Sequence, residues 1–211
     1  MELVTCADGS LALEDRGMQL RGDFSRVLPR LRQRNLSHEL LVRAARVRGV
    51  DGPFAVDATA GLGEDALLLA AAGFRVAMFE RDATIAALLA DALQQSARDP
   101  RLEATVSRMR LVAGDAIEGL PQLAEHPDVV YLDPMFPARR KDAATNKKLQ
   151  ILRALEKPCD DDEAEKLLLA ALATHAHKVV VKRPLKGPHL AGVRPSHSIA
   201  GKVVRYDVIV Q

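Results

Sequence analysis

From Phe54 onward the chain switches repeatedly between two spacings of apolar residues. Short apolar or β-branched runs cover Phe54–Asp57, Phe74–Glu80, Met109–Ala113, Val129–Leu132 and Lys178–Val181. Runs of that length and make-up predict buried strands. Between them, apolar residues recur every three or four positions over Asp65–Ala72, Ala83–Ser96, Ile117–Ala124 and Glu163–His175. Those stretches predict helices, the first stopped by Gly73, and a further helix begins somewhere after Asn146. Val203–Val210 alternates and closes the sheet. Strands separated by helices imply an α/β fold, a mainly parallel sheet covered on both faces.

The amino-terminal part reads differently. Residues 1–25 place Asp8-Gly9 and Arg16-Gly17 between short apolar runs, which is a hairpin signal. Residues 36–48 return to helical spacing, with Ser37 as the expected cap and Gly49 and Gly52-Pro53 as the stop. We expect an extension over residues 1–35, a β hairpin and a basic segment, and one α/β domain over residues 36–211. The chain shows no repeat and no linker of domain size.

Composition removes several classes. Of 211 residues, 48% are hydrophobic and 27% charged, ordinary for a soluble globular protein. No apolar run approaches the roughly 20 residues of a membrane helix. The first residues lack a secretory pattern, so the expected location is the cytoplasm. Cys6 and Cys159 stand alone and the six histidines show no ligand spacing, so no metal is expected.

Four strand ends carry the chemistry. The first strand runs into Asp57-Ala-Thr-Ala-Gly-Leu-Gly-Glu-Asp65. Gly61 and Gly63 permit a sharp turn and a close ligand approach, at the position where open α/β sheets bind ligands. Gly61, Gly63 and Ala66 also fit a loose dinucleotide spacing, but Asp57, Glu64 and Asp65 would repel a pyrophosphate. Acids suit a cationic cofactor without phosphates, and S-adenosylmethionine fits that description. Glu80 ends the next strand about 20 residues on, where an acid binds ribose hydroxyls, with Arg81 beside it. Asp115-Ala116 follows the third strand, placed to meet an adenine ring or to cap a helix.

The fourth is Asp133-Pro-Met-Phe-Pro137. Asp133 can accept from an exocyclic amine, Pro134 stiffens the turn, and Phe136 offers a face for stacking. Methyl transfer to such an amine is chiefly a matter of positioning. Basic residues cluster at Arg26, Arg30, Arg32 and Arg34, at Arg139, Arg140, Lys141, Lys147 and Lys148, and at Lys178, Lys182, Arg183 and Lys186. Arg32, Arg34, Arg139, Arg140, Lys141, Lys182 and Arg183 are the expected contacts to RNA phosphates.

Taken together, the Asp57–Asp65 loop, Glu80-Arg81, Tyr131-Leu-Asp-Pro-Met-Phe-Pro137 and Val179-Val-Val-Lys-Arg-Pro184 resemble the ribosomal RNA small subunit methyltransferase J family. The resemblance covers roughly residues 54–184 well. It implies a Rossmann-like class I methyltransferase with a seven-stranded sheet, dependent on S-adenosylmethionine. It implies methylation of the exocyclic N2 of a guanine in 16S ribosomal RNA, with that RNA or the small subunit as partner. Cofactor contacts then fall on Glu64, Asp65, Glu80, Arg81, Asp115, Ala116 and Asp133. The family more often has Arg at the place of Glu64 and Ser at that of Asp115. The competing readings are an amine methyltransferase acting on adenine N6 or another RNA, an idle RNA-binding module, and a nucleotide-dependent oxidoreductase.

Overall fold

Two sheets carry the chain, and the larger one decides where a ligand can sit. The computed structural model describes residues 1–134, 155 and 159–211. Strands β1 (Glu2–Thr5), β2 (Leu11–Asp15) and β3 (Met18–Leu20) form a small antiparallel sheet. It turns at the two expected Asp-Gly and Arg-Gly positions, where Gly9 and Gly17 have φ of 78° and 75°. The seven-stranded sheet contains β4 (Phe54–Asp57), β5 (Arg75–Glu80), β6 (Met109–Ala113), β7 (Val129–Leu132), β8 (Lys178–Pro184), β9 (His197–Ala200) and β10 (Val204–Val210). Its order is β6-β5-β4-β7-β8-β10-β9.

β4 to β8 run parallel, and β10 pairs antiparallel with both β8 and β9. β4 lies between β5 and β7, so the strand order reverses there and the chain leaves it on both sides. That reversal opens a crevice at the carboxyl ends of β4 and β7.

Among the described residues the helices are α1 (Leu28–Leu31), α2 (Gln33–Leu36), α3 (Leu40–Ala45), α4 (Glu64–Ala71), α5 (Ala83–Ser96), α6 (Glu103–Val106), α7 (Ala116–Gly119) and α8 (Asp161–Leu172). The two-residue period of the strands sorts side chains to two cores. Ala55, Val129, Tyr131 and Val180 pack with α3 and α4. Val56, Val130, Leu132, Val179 and Val181 pack with α7 and α8. Phe24, Val27 and Leu36 belong to the first core, and β2 and β3 send Leu13 and Leu20 against Ile85 and Leu88 of α5.

Three expectations are corrected. The helix read over 36–48 is shorter and uncapped by Ser37. Ser37 donates back to the Arg34 carbonyl at 3.1 Å, which closes α2, and α3 starts only at Leu40. The helix read over Ile117–Ala124 is four residues of α-helix followed by a 3-10 turn over Leu120–Gln122. Pro121 supplies no N–H there, so the α ladder cannot continue. The strand β9 was not foreseen, because His-Ser-Ile-Ala carries no apolar alternation. The helix expected after Asn146 lies outside the described residues, apart from Leu155. Among the described residues, no helix is long and apolar enough to cross a membrane.

Candidate active site

The glycine loop is held open by its own backbone chemistry. Asp57 ends β4, and its Oδ1 accepts from Thr59 N at 3.1 Å. Ala60 N donates to the Phe79 carbonyl at 3.0 Å, tying the loop to β5. Gly61 sits at φ 54° and Gly63 at φ 78°, both left-handed, a region costly for residues with a Cβ. A Cβ on Gly63 would also lie 2.7 Å from the Leu89 side chain. Gly63 therefore turns the chain directly into α4, whose first turn carries Glu64 and Asp65.

Glu80 locks this loop to the next strand end. Its Oε2 accepts from Gly61 N at 2.8 Å and its Oε1 from Asp82 N at 2.9 Å. Each oxygen keeps a lone pair for a hydroxyl donor. Burial is the main cause that pushes its carboxyl up. Asp115 caps α7, with Oδ1 accepting from Ile117 N at 2.8 Å.

Asp133 follows β7 at the reversal point. Its backbone N donates to Thr59 Oγ1 at 2.7 Å, joining the two loops of the crevice. Its Oδ2 accepts from Lys182 Nζ at 2.8 Å. The same ammonium reaches Asp65 Oδ2 at 2.9 Å, and the Tyr131 hydroxyl donates to that oxygen at 2.7 Å. Loss of water around Asp133 pushes its carboxyl up, and Lys182 partly offsets this. For Lys182, burial opposes the charge, but Asp133 and Asp65 outweigh it and hold the ammonium above its usual range. Asp57, at 1% exposure, is pushed up to about 8 by burial and then by Asp65 and Asp133, against the Thr59 hydrogen bond.

These groups enclose one cavity of about 610 Å³. Of the residues expected at a site, Asp57, Gly61, Glu64, Asp65, Glu80, Arg81, Asp115, Ala116, Asp133 and Pro134 line it together. Gly63 acts from behind as the first residue of the turn into α4. Sequence reasoning missed Thr59, the Tyr131 hydroxyl, Tyr206, Cys159 and Glu163, which also face the cavity. A signal existed for Tyr131, which stands two residues before Asp133 and so shares its face of the strand.

Two expected phosphate contacts are corrected. The Lys182 charge is taken up by Asp65 and Asp133 inside the crevice. Arg183 is 3% exposed and donates to the Pro188 carbonyl at 2.8 Å. Arg32 and Arg34 are exposed beside the short α1–α2 turn, and Arg30 reaches the cavity while paired with Glu39 at 2.8 Å. Phe136, Arg139, Arg140 and Lys141 lie outside the described residues.

Comparison with known proteins bears on this geometry. Residues 4–211 match the family model described as "Putative SAM-dependent methyltransferase". Ribosomal RNA small subunit methyltransferase J of Thioalkalivibrio sulfidiphilus is 47% identical over 178 residues, covering 83% of this chain and 69% of that protein. The protein of the same name from Pseudomonas fluorescens is 43% identical, covering 82% of this chain and 66% of its own length. The chain belongs to this methyltransferase J family. It spans about two thirds of the length of these curated relatives. A solved SAM-dependent methyltransferase from Neisseria gonorrhoeae superposes with a TM-score of 0.77 at 32% identity, covering 95% of this chain and 79% of that one.

The family's cofactor is S-adenosylmethionine, and the cavity fits it. Glu64, Asp65, Glu80, Asp115, Asp133 and Glu163 line the cavity beside Asp57. Among the described residues its cations are Arg30, Arg81 and Lys182, and each is paired with an acid, Arg81 with Glu163. A phosphate would meet mostly carboxylates here, whereas a sulfonium and an amino group are attracted by them. Phe79, Ile117 and Leu167 supply apolar wall for a ring. Glu80 would take the ribose hydroxyls and the Asp115–Ala116 turn the adenine edge.

Proposed function

We propose that this chain methylates the exocyclic N2 amine of a guanine in 16S ribosomal RNA. The observation that carries the reading is Asp133 at the mouth of an acid-lined cavity, with one carboxylate oxygen fixed by Lys182. The names of the relatives support the ribosomal RNA substrate, and the resemblance of the Asp133–Pro137 loop supports guanine.

The bound cofactor supplies an electrophilic methyl group on a sulfonium that leaves as a neutral thioether. The protein's part is to aim a weak nucleophile at it. Lys182 occupies Oδ2 of Asp133, which leaves Oδ1 as the oxygen for an incoming amine. An N–H bond donated to Oδ1 fixes the amine's rotation and turns its lone pair toward the methyl group. Such alignment can supply several kcal/mol without any covalent intermediate. The amine becomes cationic as the new N–C bond forms. Asp133, already biased toward protonation by its surroundings, then takes the surplus proton or passes it to water. The Tyr131–Asp65–Lys182 chain keeps the acceptor from turning away.

Tritiated methyl transfer to small subunits purified from a strain lacking this modification tests the reading, with the product identified as a nucleoside. N2-methylguanosine in the 16S RNA is the expected product. N6-methyladenosine would overturn the base assignment, and no incorporation would overturn the activity.

A further inference from the structure

The opposite end of the sheet carries a second charged feature that the methyl-transfer site does not use. α3 ends there, β8 begins there, and β10 finishes beside them. Arg43, Arg46, Arg48, His177 and Lys178 surround an open depression of about 510 Å³, with Val47 and Val210 in its wall. Among the described residues, no Asp or Glu lines it. The three arginines are exposed, and among the described residues none has an ion-pair partner. By contrast Arg21, Arg26, Arg75 and Arg101 each face an acid.

The cluster is crowded as well as unneutralised. Lys178 Nζ donates to the Arg46 carbonyl at 2.7 Å, which fixes the chain after α3 against the start of β8. Burial, then the charge of Arg48, push the Lys178 ammonium below its ordinary value. Asp128 is the acid that faces His177. It lies 3.5 Å away, and its other oxygen is occupied by Phe54 N at 2.7 Å. One basic residue at a helix end is explained by the helix dipole. Three arginines and a lysine converging here form a positive surface that an extended anion would match.

We propose that this depression is a second RNA contact, gripping phosphates of the substrate away from the methylated base. It rests on the ribosomal RNA reading above. Lys178 opens β8 and Lys182 stands four residues further along it, about 13 Å away at the rise of a strand. Phosphates held at the Lys178 end thus belong to a different part of the RNA from the base at Asp133. Such a grip adds affinity without base specificity.

The test is RNA binding as a function of salt, with 16S ribosomal RNA as the probe. The variant carries Arg43→Gln, Arg46→Gln and Arg48→Gln together, and a second carries only Arg46→Gln and Arg48→Gln, outside the helix. Circular dichroism and S-adenosylhomocysteine binding should match wild type. Each lost phosphate contact removes about 0.7 to 0.9 from the slope of log affinity against log salt, so the triple variant should lose about 2 to 3. KM for RNA should rise with kcat unchanged at saturation. A wild-type slope in both variants, with wild-type RNA methylated normally, overturns this proposal alone. A wild-type protein that neither binds nor methylates the RNA overturns the functional reading and this proposal with it.

Discussion

Lys182 and Arg183 are neighbours on β8, yet they build networks that end in opposite ways. Lys182 lies opposite Tyr206 and Arg183 opposite Arg205 in the β8–β10 register. The strand period therefore sends the two cations to opposite faces. On one face Lys182 bridges Asp65 and Asp133, with 25% of its side chain exposed and 38% of Asp133's. On the other, Arg205 grips Asp207 at 2.8 Å, with 10% and 4% exposed. Arg205 also donates to the carbonyls of Pro184, Leu185 and Gly187. Asp207 accepts further from Ser198 at 2.6 Å and faces His189 at 2.9 Å. The Arg205 network answers its charge entirely within the protein. The Lys182 network stops at a cavity with an acceptor oxygen to spare. Similar ingredients make a staple in one case and a site in the other, and the difference is whether the last group is saturated.

The sharpest break in this comparison is Asp133→Ala. It removes the acceptor for the amine, and methyl transfer should fall about 10³- to 10⁴-fold, roughly 4 to 5.5 kcal/mol of barrier. Thermal stability should change little, because Lys182 keeps Asp65 as its partner. A rate within tenfold of wild type would remove Asp133 from the mechanism. The mirror experiment is Arg205→Met. It takes the guanidinium from the buried Asp207 carboxylate and one donor from each of the Pro184, Leu185 and Gly187 carbonyls, which should cost about 3 kcal/mol or more. Denaturant melts would show it as a lower midpoint, with transfer retained below the new midpoint. An unchanged midpoint would mean the staple is not a staple.

The same two residues show how far the sequence reaches. The alternation of strand and helix, the glycine loop, and the places of Glu80 and Asp133 were all legible, because each is local and sits at a strand end. The facing of Lys182 and Arg183 was not. Both follow a valine run, and a basic residue there reads equally well as a phosphate contact or an internal cation. Only the register against β10 separates them, and register is a property of two segments. The polar strand β9 and the break before α3 were hidden for a related reason. β9 is held by pairing with β10, and Glu39 before α3 is pinned by Arg30, so neither depends on local propensity. Thr59 was visible in the motif, but its bond to the Asp133 amide joins residues 74 positions apart.

A smaller effect tests whether Lys182 positions Asp133 or merely fills space. In Lys182→Met the cation that lowers the Asp133 pKa is gone, while Asp65, which raises it, remains. The Asp133 carboxyl then titrates at higher pH. Transfer needs the carboxylate as acceptor, so the acidic limb of the pH–rate profile should move up, with kcat reduced about 10- to 100-fold. Lys182→Arg keeps the charge and should leave the limb near its wild-type position. A limb that stays put in Lys182→Met would reduce Lys182 to a packing role.

Asp57 offers the mildest test, read on stability. It is buried in the wall of the cavity with a carboxyl pushed up to about 8, against an ordinary value of 3.8. An acid whose folded pKa lies above its unfolded one binds more protons in the folded state. Its contribution is therefore fully present below about pH 4 and is lost as pH rises to about 8. Asp57→Asn keeps an oxygen for Thr59 N and removes the titration. Wild type should lose stability relative to this variant between those limits, with the gap levelling off above about pH 8. Parallel melts across the range would show the two curves diverging only inside that window. Parallel curves throughout would mean that Asp57 is already ionised in the folded protein, and that the Lys182 network carries one more negative charge than this account gives it.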